Sequence, residues 1–245
     1  MDALVLLAAG ESRRYGGNVS KILRRLAGKP LIVRALAPFL VGVERMALVI
    51  AARPADRAAL KRILPRANIV DGGASRGASL AQAVKALPAG VEMVLIHEAA
   101  RPLASAEVVR RVLAAARRDG AAAPIVPVLD PLHHVGQFDG GRPRLEDTGD
   151  RSRLGAAQTP VAVRRELLEG ALEAARDAES EPADDVDLLQ RGGVAVTAVR
   201  GDVKNLRITT PADMDLAEAL LRGSDRCASS GSTPAPASWA GASSR

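Results

Sequence analysis

Between Leu4 and Pro30 the chain reads LVLLAAGESRRYGGNVSKILRRLAGKP, an apolar run followed at once by a loop carrying Gly10, Arg13, Arg14, Gly16, Gly17 and Lys21. Small residues let backbone N–H groups come close to a ligand, and Arg and Lys neutralise phosphate charge. A buried strand that ends in such a loop suits an anionic ligand. The loop has neither G-x-G-x-x-G nor G-x-x-x-x-G-K-[ST] spacing, so it is neither the dinucleotide fingerprint nor the P-loop. A carboxylate, Glu98, stands just after a second apolar run, Met93–Ile96, with His97 between, and is followed by Arg101. His133 and His134 lack metal-ligand spacing with His97, which argues against a histidine-held metal.

Elements that would position these residues follow from the apolar pattern. Strands are expected at Ala3–Ala8, Met46–Ala51, Asn68–Val70, Met93–Ile96, Ala121–Val128 and Val194–Val199. Amphipathic helices are expected at Pro30–Leu40, Ala55–Leu64, Ser79–Leu87, Ser105–Asp119, Val161–Ala175 and Pro211–Arg222, several opening on Pro or Ser as helix starts do. Continuous apolar strands alternating with helices imply an α/β fold with a mostly parallel sheet covered on both faces. Ligands on such sheets bind at the carboxyl ends of the strands, so the loops after Leu7, Val70 and Ile96 should face one site. Asp130–Asp150 breaks the alternation. With Gly140-Gly141 between two polar arms it reads equally as a protruding hairpin and as a plain surface loop. Residues 223–245, rich in Ser, Ala, Gly and Pro, read as a disordered tail after a domain at 1–222.

Composition narrows the classes. Hydrophobic residues make up 47% of the 245 positions, enough for a core, but aromatics only 2%, too few for a base-stacking nucleic-acid platform. The net charge of +6 is scattered among acids on expected helix faces. It reads as solvated surface that also attracts phosphates, not as a nucleic-acid footprint. Cys227 is the only cysteine, so no intrachain disulfide can form. Met1-Asp2 leads into a strand without a basic leader, and no apolar run is long enough to span a membrane. A cytoplasmic protein with no membrane partner is expected.

Four segments together resemble the 2-C-methyl-D-erythritol 4-phosphate cytidylyltransferase family. They are LAAGESRRYGGNVSK with Gly28–Pro30; DGGASRGAS, Asp71–Ser79; HEAARP, His97–Pro102; and DRSRLGAAQTP, Asp150–Pro160, with NLRITTP, Asn205–Pro211. They occur in order over roughly residues 2–222. The resemblance implies a three-layer α/β/α, Rossmann-like nucleotidyltransferase fold whose arm near 130–150 clasps a second subunit in a homodimer. The activity implied is transfer of CMP from CTP to 2-C-methyl-D-erythritol 4-phosphate, with Mg²⁺.

In that chemistry the attacking phosphate is already anionic, so the site must supply charge neutralisation and alignment, not a general base. By resemblance, Ala8, Ala9, Gly10, Glu11 and Ser12 wrap the nucleotide, and Arg14 and Lys21 hold the triphosphate. Gly73, Ala74 and Ala99 join the nucleotide contacts. Ser79 meets the base, although Ser75 or Ser79 could equally cap a helix. Glu98 helps hold Mg²⁺. Arg101 and Thr159 bind the sugar phosphate, and Arg151 and Arg207 complete the catalytic set. The chain departs from the family pattern at Ser20-Lys21-Ile22, Glu98, Asp130-Pro131-Leu132, Gly155, Ala183–Asp187 and Arg207. Two other readings therefore stay open: another polyol phosphate as acceptor, such as ribitol 5-phosphate, and a nucleotide-binding relative without turnover.

Overall fold

The structure, a computed structural model, describes residues 1–10, 15, 20–42, 46–136, 145–147, 153–176 and 180–229. In chain order its elements begin with β1 (Asp2–Ala8), β2 (Arg25–Leu26), β3 (Lys29–Pro30), α1 (Leu31–Gly42), β4 (Ala47–Ala52), α2 (Arg57–Ile63) and β5 (Asn68–Asp71). Next come α3 (Arg76–Lys85), β6 (Met93–Glu98), α4 (Ala106–Asp119), β7 (Ala121–Pro127), β8 (His133–Val135), β9 (Leu145–Asp147) and β10 (Gly155–Ala157). The chain continues through β11 (Val161–Arg164), α5 (Arg165–Ala174), α6 (Asp185–Arg191), β12 (Thr197–Arg200) and α7 (Pro211–Ser229).

The main sheet has the order β10-β7-β11-β6-β1-β4-β5, with β12 beside β7. β1 lies parallel to β4 and β6, β4 to β5, and β12 to β7. β11 enters antiparallel between β6 and β7, and β10 pairs antiparallel with β7. Alternation along each central strand divides the core. Leu4, Leu6, Ile50 and Leu95 pack on one face with α1 and α4. Ala3, Val5, Val49, Val94 and Ile96 pack on the other with α3, α5 and α6. Burial on both faces explains why these strands read as unbroken apolar runs. Among the described residues no helix is long and apolar enough to cross a membrane.

Three expectations about elements are corrected. Val161–Ala175 is not one helix: Val161–Arg164 form β11, and the helix starts at Arg165. Val161, Ala162 and Val163 are all buried in the middle of the sheet, and a strand covered on both faces shows no period-2 signal to separate it from a helix. α6 has no counterpart among the expected helices, being a single short acidic element capped by Asp184, whose side chain accepts from the Asp187 N–H at 2.8 Å. α7 does not stop at Arg222 but runs to Ser229, so residues 223–229, Cys227 included, are helical rather than disordered tail. No proline interrupts that stretch; the first one downstream is Pro234.

Within 130–150 the hairpin expectation holds for the described residues. β8 and β9 pair antiparallel, Val135 opposite Leu145, in a ribbon separate from the main sheet. Gly140-Gly141 lies outside the described residues.

Candidate active site

At the carboxyl ends of β1, β4, β5 and β6 lies a cleft of about 760 Å³. Leu7–Gly10, Gly72–Arg76 and Glu98 line it, bringing together the loops after β1, β5 and β6. The β1 and β5 loops approach so closely that a Cβ on Gly72 would sit 2.3 Å from Ala9 Cβ. One on Gly73 would sit 2.4 Å from Ala78 Cβ. Both glycines are therefore required by packing, and they leave backbone exposed to the cleft. The two serines divide the work. Ser75 caps α3, accepting from the Ala78 N–H at 3.1 Å. The Ser79 hydroxyl donates to the Ser75 carbonyl at 2.8 Å and accepts from the Gly73 N–H at 3.1 Å, which fixes the glycine loop.

Lys21 stands on a single 3-10 turn, Lys21–Leu23, anchored by the buried Ile22. Its ammonium donates to the Ile208 carbonyl at 2.6 Å. Ile208 belongs to a strap, residues 201–210, that crosses the cleft edge and carries Arg207. The Ile208 N–H donates to the Ala100 carbonyl at 2.8 Å, and Asn205 Nδ2 donates to the Thr159 carbonyl at 2.8 Å. At its end Asp213 accepts from the Thr209 and Thr210 N–H groups and the Thr209 hydroxyl. Burial pushes the Asp213 carboxyl up, but these donors outweigh it and hold it at about 2.

Glu98 is the centre of an ionic cluster. Its Oε1 accepts from Arg76 Nη1 at 2.6 Å and from Arg207 Nη1 at 3.3 Å; its Oε2 accepts from Arg101 Nε at 3.2 Å. Burial pushes the Glu98 carboxyl up, while Arg76, Arg207 and Arg101 together hold it below its ordinary value. Beneath Glu98, His97 is fully buried against Phe39. Its Nε2 faces the Arg101 carbonyl at 3.0 Å, a pure acceptor, so Nε2 carries the proton. Nδ1 then accepts from the Thr159 hydroxyl at 2.9 Å, and that hydroxyl accepts from the Glu98 N–H at 3.2 Å. Burial lowers the His97 pKa to about 4.

Of the residues singled out by sequence, Ala8, Ala9, Gly10, Lys21, Gly73, Ala74, Ser79, Glu98 and Arg207 line the one cleft. Glu11, Ser12, Arg14 and Arg151 lie outside the described residues. Ala99 is fully buried, with its N–H taken by the Leu7 carbonyl, and its neighbour Ala100 lines the cleft instead. Arg101 is turned inward, donating to Glu98, the Asn205 carbonyl and the Ala157 carbonyl. Thr159 is buried in the His97 pair and absent from the lining. Sequence reasoning missed Arg53, which lines the cleft while paired with Asp56, and gave no role to Arg76, which lies within DGGASRGAS, Asp71–Ser79.

A protein-held Mg²⁺ does not fit this arrangement. Glu98 is the one acidic side chain among the described lining residues, and both its oxygens accept from guanidinium groups. Among the described residues no group of three or more His, Cys, Asp or Glu side chains is placed to hold a metal.

The family model described as IspD, 2-C-methyl-D-erythritol 4-phosphate cytidylyltransferase, matches residues 3–223. A 2-C-methyl-D-erythritol 4-phosphate cytidylyltransferase of Cereibacter sphaeroides is 42% identical over 227 residues, covering 89% of this chain and 96% of its own length. One from Geobacillus kaustophilus is 38% identical over 224 residues, covering 89% and 95%. The crystal structure of the Thermus thermophilus enzyme of the same name superposes with a TM-score of 0.72 at 34% identity, over 91% of this chain and all of that one.

Proposed function

The chain belongs to the 2-C-methyl-D-erythritol 4-phosphate cytidylyltransferase family, and we propose from its cleft how it carries out CTP-dependent cytidylyl transfer to 2-C-methyl-D-erythritol 4-phosphate. The enzyme is a nucleotidyltransferase of the non-mevalonate isoprenoid route. CTP enters between the β1 and β5 loops, where Ala8–Gly10 and Gly72–Ala74 leave backbone open to the nucleotide. Its triphosphate extends toward Lys21. The acceptor's phosphate meets Arg207, carried on the strap to which Lys21 is bonded.

A phosphate oxygen of the acceptor attacks the α-phosphorus of CTP. The new P–O bond forms as the α–β bridging bond breaks, and that bridging oxygen leaves with pyrophosphate. Charge is redistributed over oxygens that are already anionic, so no proton transfer is required, and fixed cations lower the barrier. Arg14 and Arg151 are assigned to the same set by family position. The ion pairs around Glu98 occupy the one carboxylate among the described residues lining the cleft. The divalent ion proposed as cofactor is therefore assigned to the phosphates and water.

One observation carries this reading: the Lys21 ammonium is bonded to the carbonyl of Ile208, the residue after Arg207, so the donor-side and acceptor-side cations share one cleft. We further assign the catalytic unit to residues through α7, place it in the cytoplasm with no nucleic-acid partner, and assign a homodimer formed through the β8–β9 arm.

The test is pyrophosphate release from CTP and Mg²⁺ with and without 2-C-methyl-D-erythritol 4-phosphate, using Lys21→Ala as the blank and ribitol 5-phosphate as a second acceptor. Release that requires both the first acceptor and Lys21 is expected. Release with ribitol 5-phosphate alone would reassign the acceptor, and CTP binding without release would remove the enzymatic reading.

A further inference from the structure

Arg76 opens α3 at the cleft wall and makes two sets of contacts at once. Nη1 reaches Glu98 Oε1 at 2.6 Å. Nε and Nη2 form a fork on Asp185, at 2.9 Å to Oδ1 and 2.6 Å to Oδ2. Asp185 is the first residue of α6, 109 positions away in sequence, and is 2% exposed. α6 is tightly held at this end. Asp184 accepts from the Asp187 N–H, and Asp187 accepts from the Ala183 N–H at 2.8 Å. Leu188 and Leu189 sink into the core.

A buried ion pair is poor value as a stabiliser, because desolvating two charges cancels most of their attraction and an apolar pair of similar volume does as well. A planar guanidinium with a two-point anchor is, by contrast, a rigid way to fix a third atom. The third atom here is Glu98 Oε1, which is also the anchor of Arg207. Side-chain exposure rises from Arg101 (12%) through Arg76 (28%) to Arg207 (43%), so Arg207 is the member of the cluster open to an incoming anion.

We propose that Asp185 and Arg76 are positioning residues that brace Glu98 and, through it, aim Arg207 at the acceptor's phosphate. The role rests on the acceptor reading given above. Burial raises the Asp185 carboxyl above its ordinary value, and the Arg76 fork opposes that rise.

The double variant Arg76→Met/Asp185→Leu replaces the buried pair with apolar side chains and so avoids leaving one charge stranded. Its thermal melting should stay close to wild type. Its acceptor KM should rise by about tenfold and its kcat fall, while CTP affinity by calorimetry changes by less than about threefold. Arg76→Lys, which keeps a charge but loses the fork, should fall between. A folded double variant with wild-type acceptor KM and kcat would overturn the brace.

A crystal structure of the double variant reads the brace without turnover. Separation of Glu98 Oε1 from Arg207 Nη1 beyond their 3.3 Å contact is expected, and an unchanged contact would overturn it. A wild-type chain that releases no pyrophosphate would overturn the functional reading alone, since the crystallographic result still decides the brace.

Discussion

Lys21 Nζ and the Ile208 carbonyl oxygen are 2.6 Å apart, although 187 positions separate them in sequence. The bond places the ammonium beside Arg207, on the strap that also reaches Thr159 and Ala100. A cation fixed this way needs little reorganisation when charge shifts in the transition state. Lys21→Ala should therefore lower kcat by about 100-fold or more while CTP affinity changes by less than about tenfold. Single-turnover kinetics with calorimetry checks this, and an unchanged kcat would take Lys21 out of the reaction.

Glu98 gives a second test, directed at the metal. If the divalent ion is carried by phosphates and water, Glu98→Gln leaves the Mg²⁺ concentration for half-maximal rate near the wild-type value. The acceptor KM should rise by about tenfold, because Arg207 loses a charged anchor. A Mg²⁺ titration of the rate checks both. A large shift in the Mg²⁺ requirement would restore Glu98 as a metal ligand.

The glycine-rich and basic loops were legible in sequence because their chemistry is local. Gly72, Gly73, Lys21 and Glu98 each follow or abut an apolar run, and strand ends gather on one edge of such a sheet. What was not legible depends on distant pairing. The contact of the Thr159 hydroxyl with His97 Nδ1, 62 positions away, is one that no local pattern announces. The Asp185–Arg76 fork is hidden likewise, because α6 is a seven-residue helix too short to show an apolar period. β11 failed for a different reason: three consecutive buried residues between two strands leave no face-to-face contrast.

The arm carries exposed apolar side chains where a two-stranded ribbon has little to stabilise it. Val135 is 66% exposed and its cross-strand partner Leu145 68%, with Leu129 and Leu132 exposed nearby. A second copy packed against this ribbon would bury them. Light scattering at micromolar concentration should give a dimer for the wild type, and Val135→Asp should shift it to monomer. A monomeric wild type would remove the arm as a dimer contact.

His97 should make stability pH-dependent, in a direction set by its burial. Above 6.5, its ordinary pKa, the ring is neutral in both states and costs nothing. As pH falls from there, the unfolded chain takes up a proton that the folded chain refuses until about 4, so stability drops across that window and levels off below it. Between pH 7 and pH 5 the loss is about 2 kcal/mol. Glu98, held below its ordinary 4.5, contributes stability that is lost only as pH falls below about that value, so above pH 5 the His97 effect stands apart from it. Urea melts at a series of pH values measure this, and His97→Gln should flatten the upper window. Thr159→Val, which leaves His97 Nδ1 and the Glu98 N–H unpaired, should destabilise by about 1–3 kcal/mol at pH 7. A wild-type stability that does not change between pH 7 and pH 5 would mean that His97 is not held neutral.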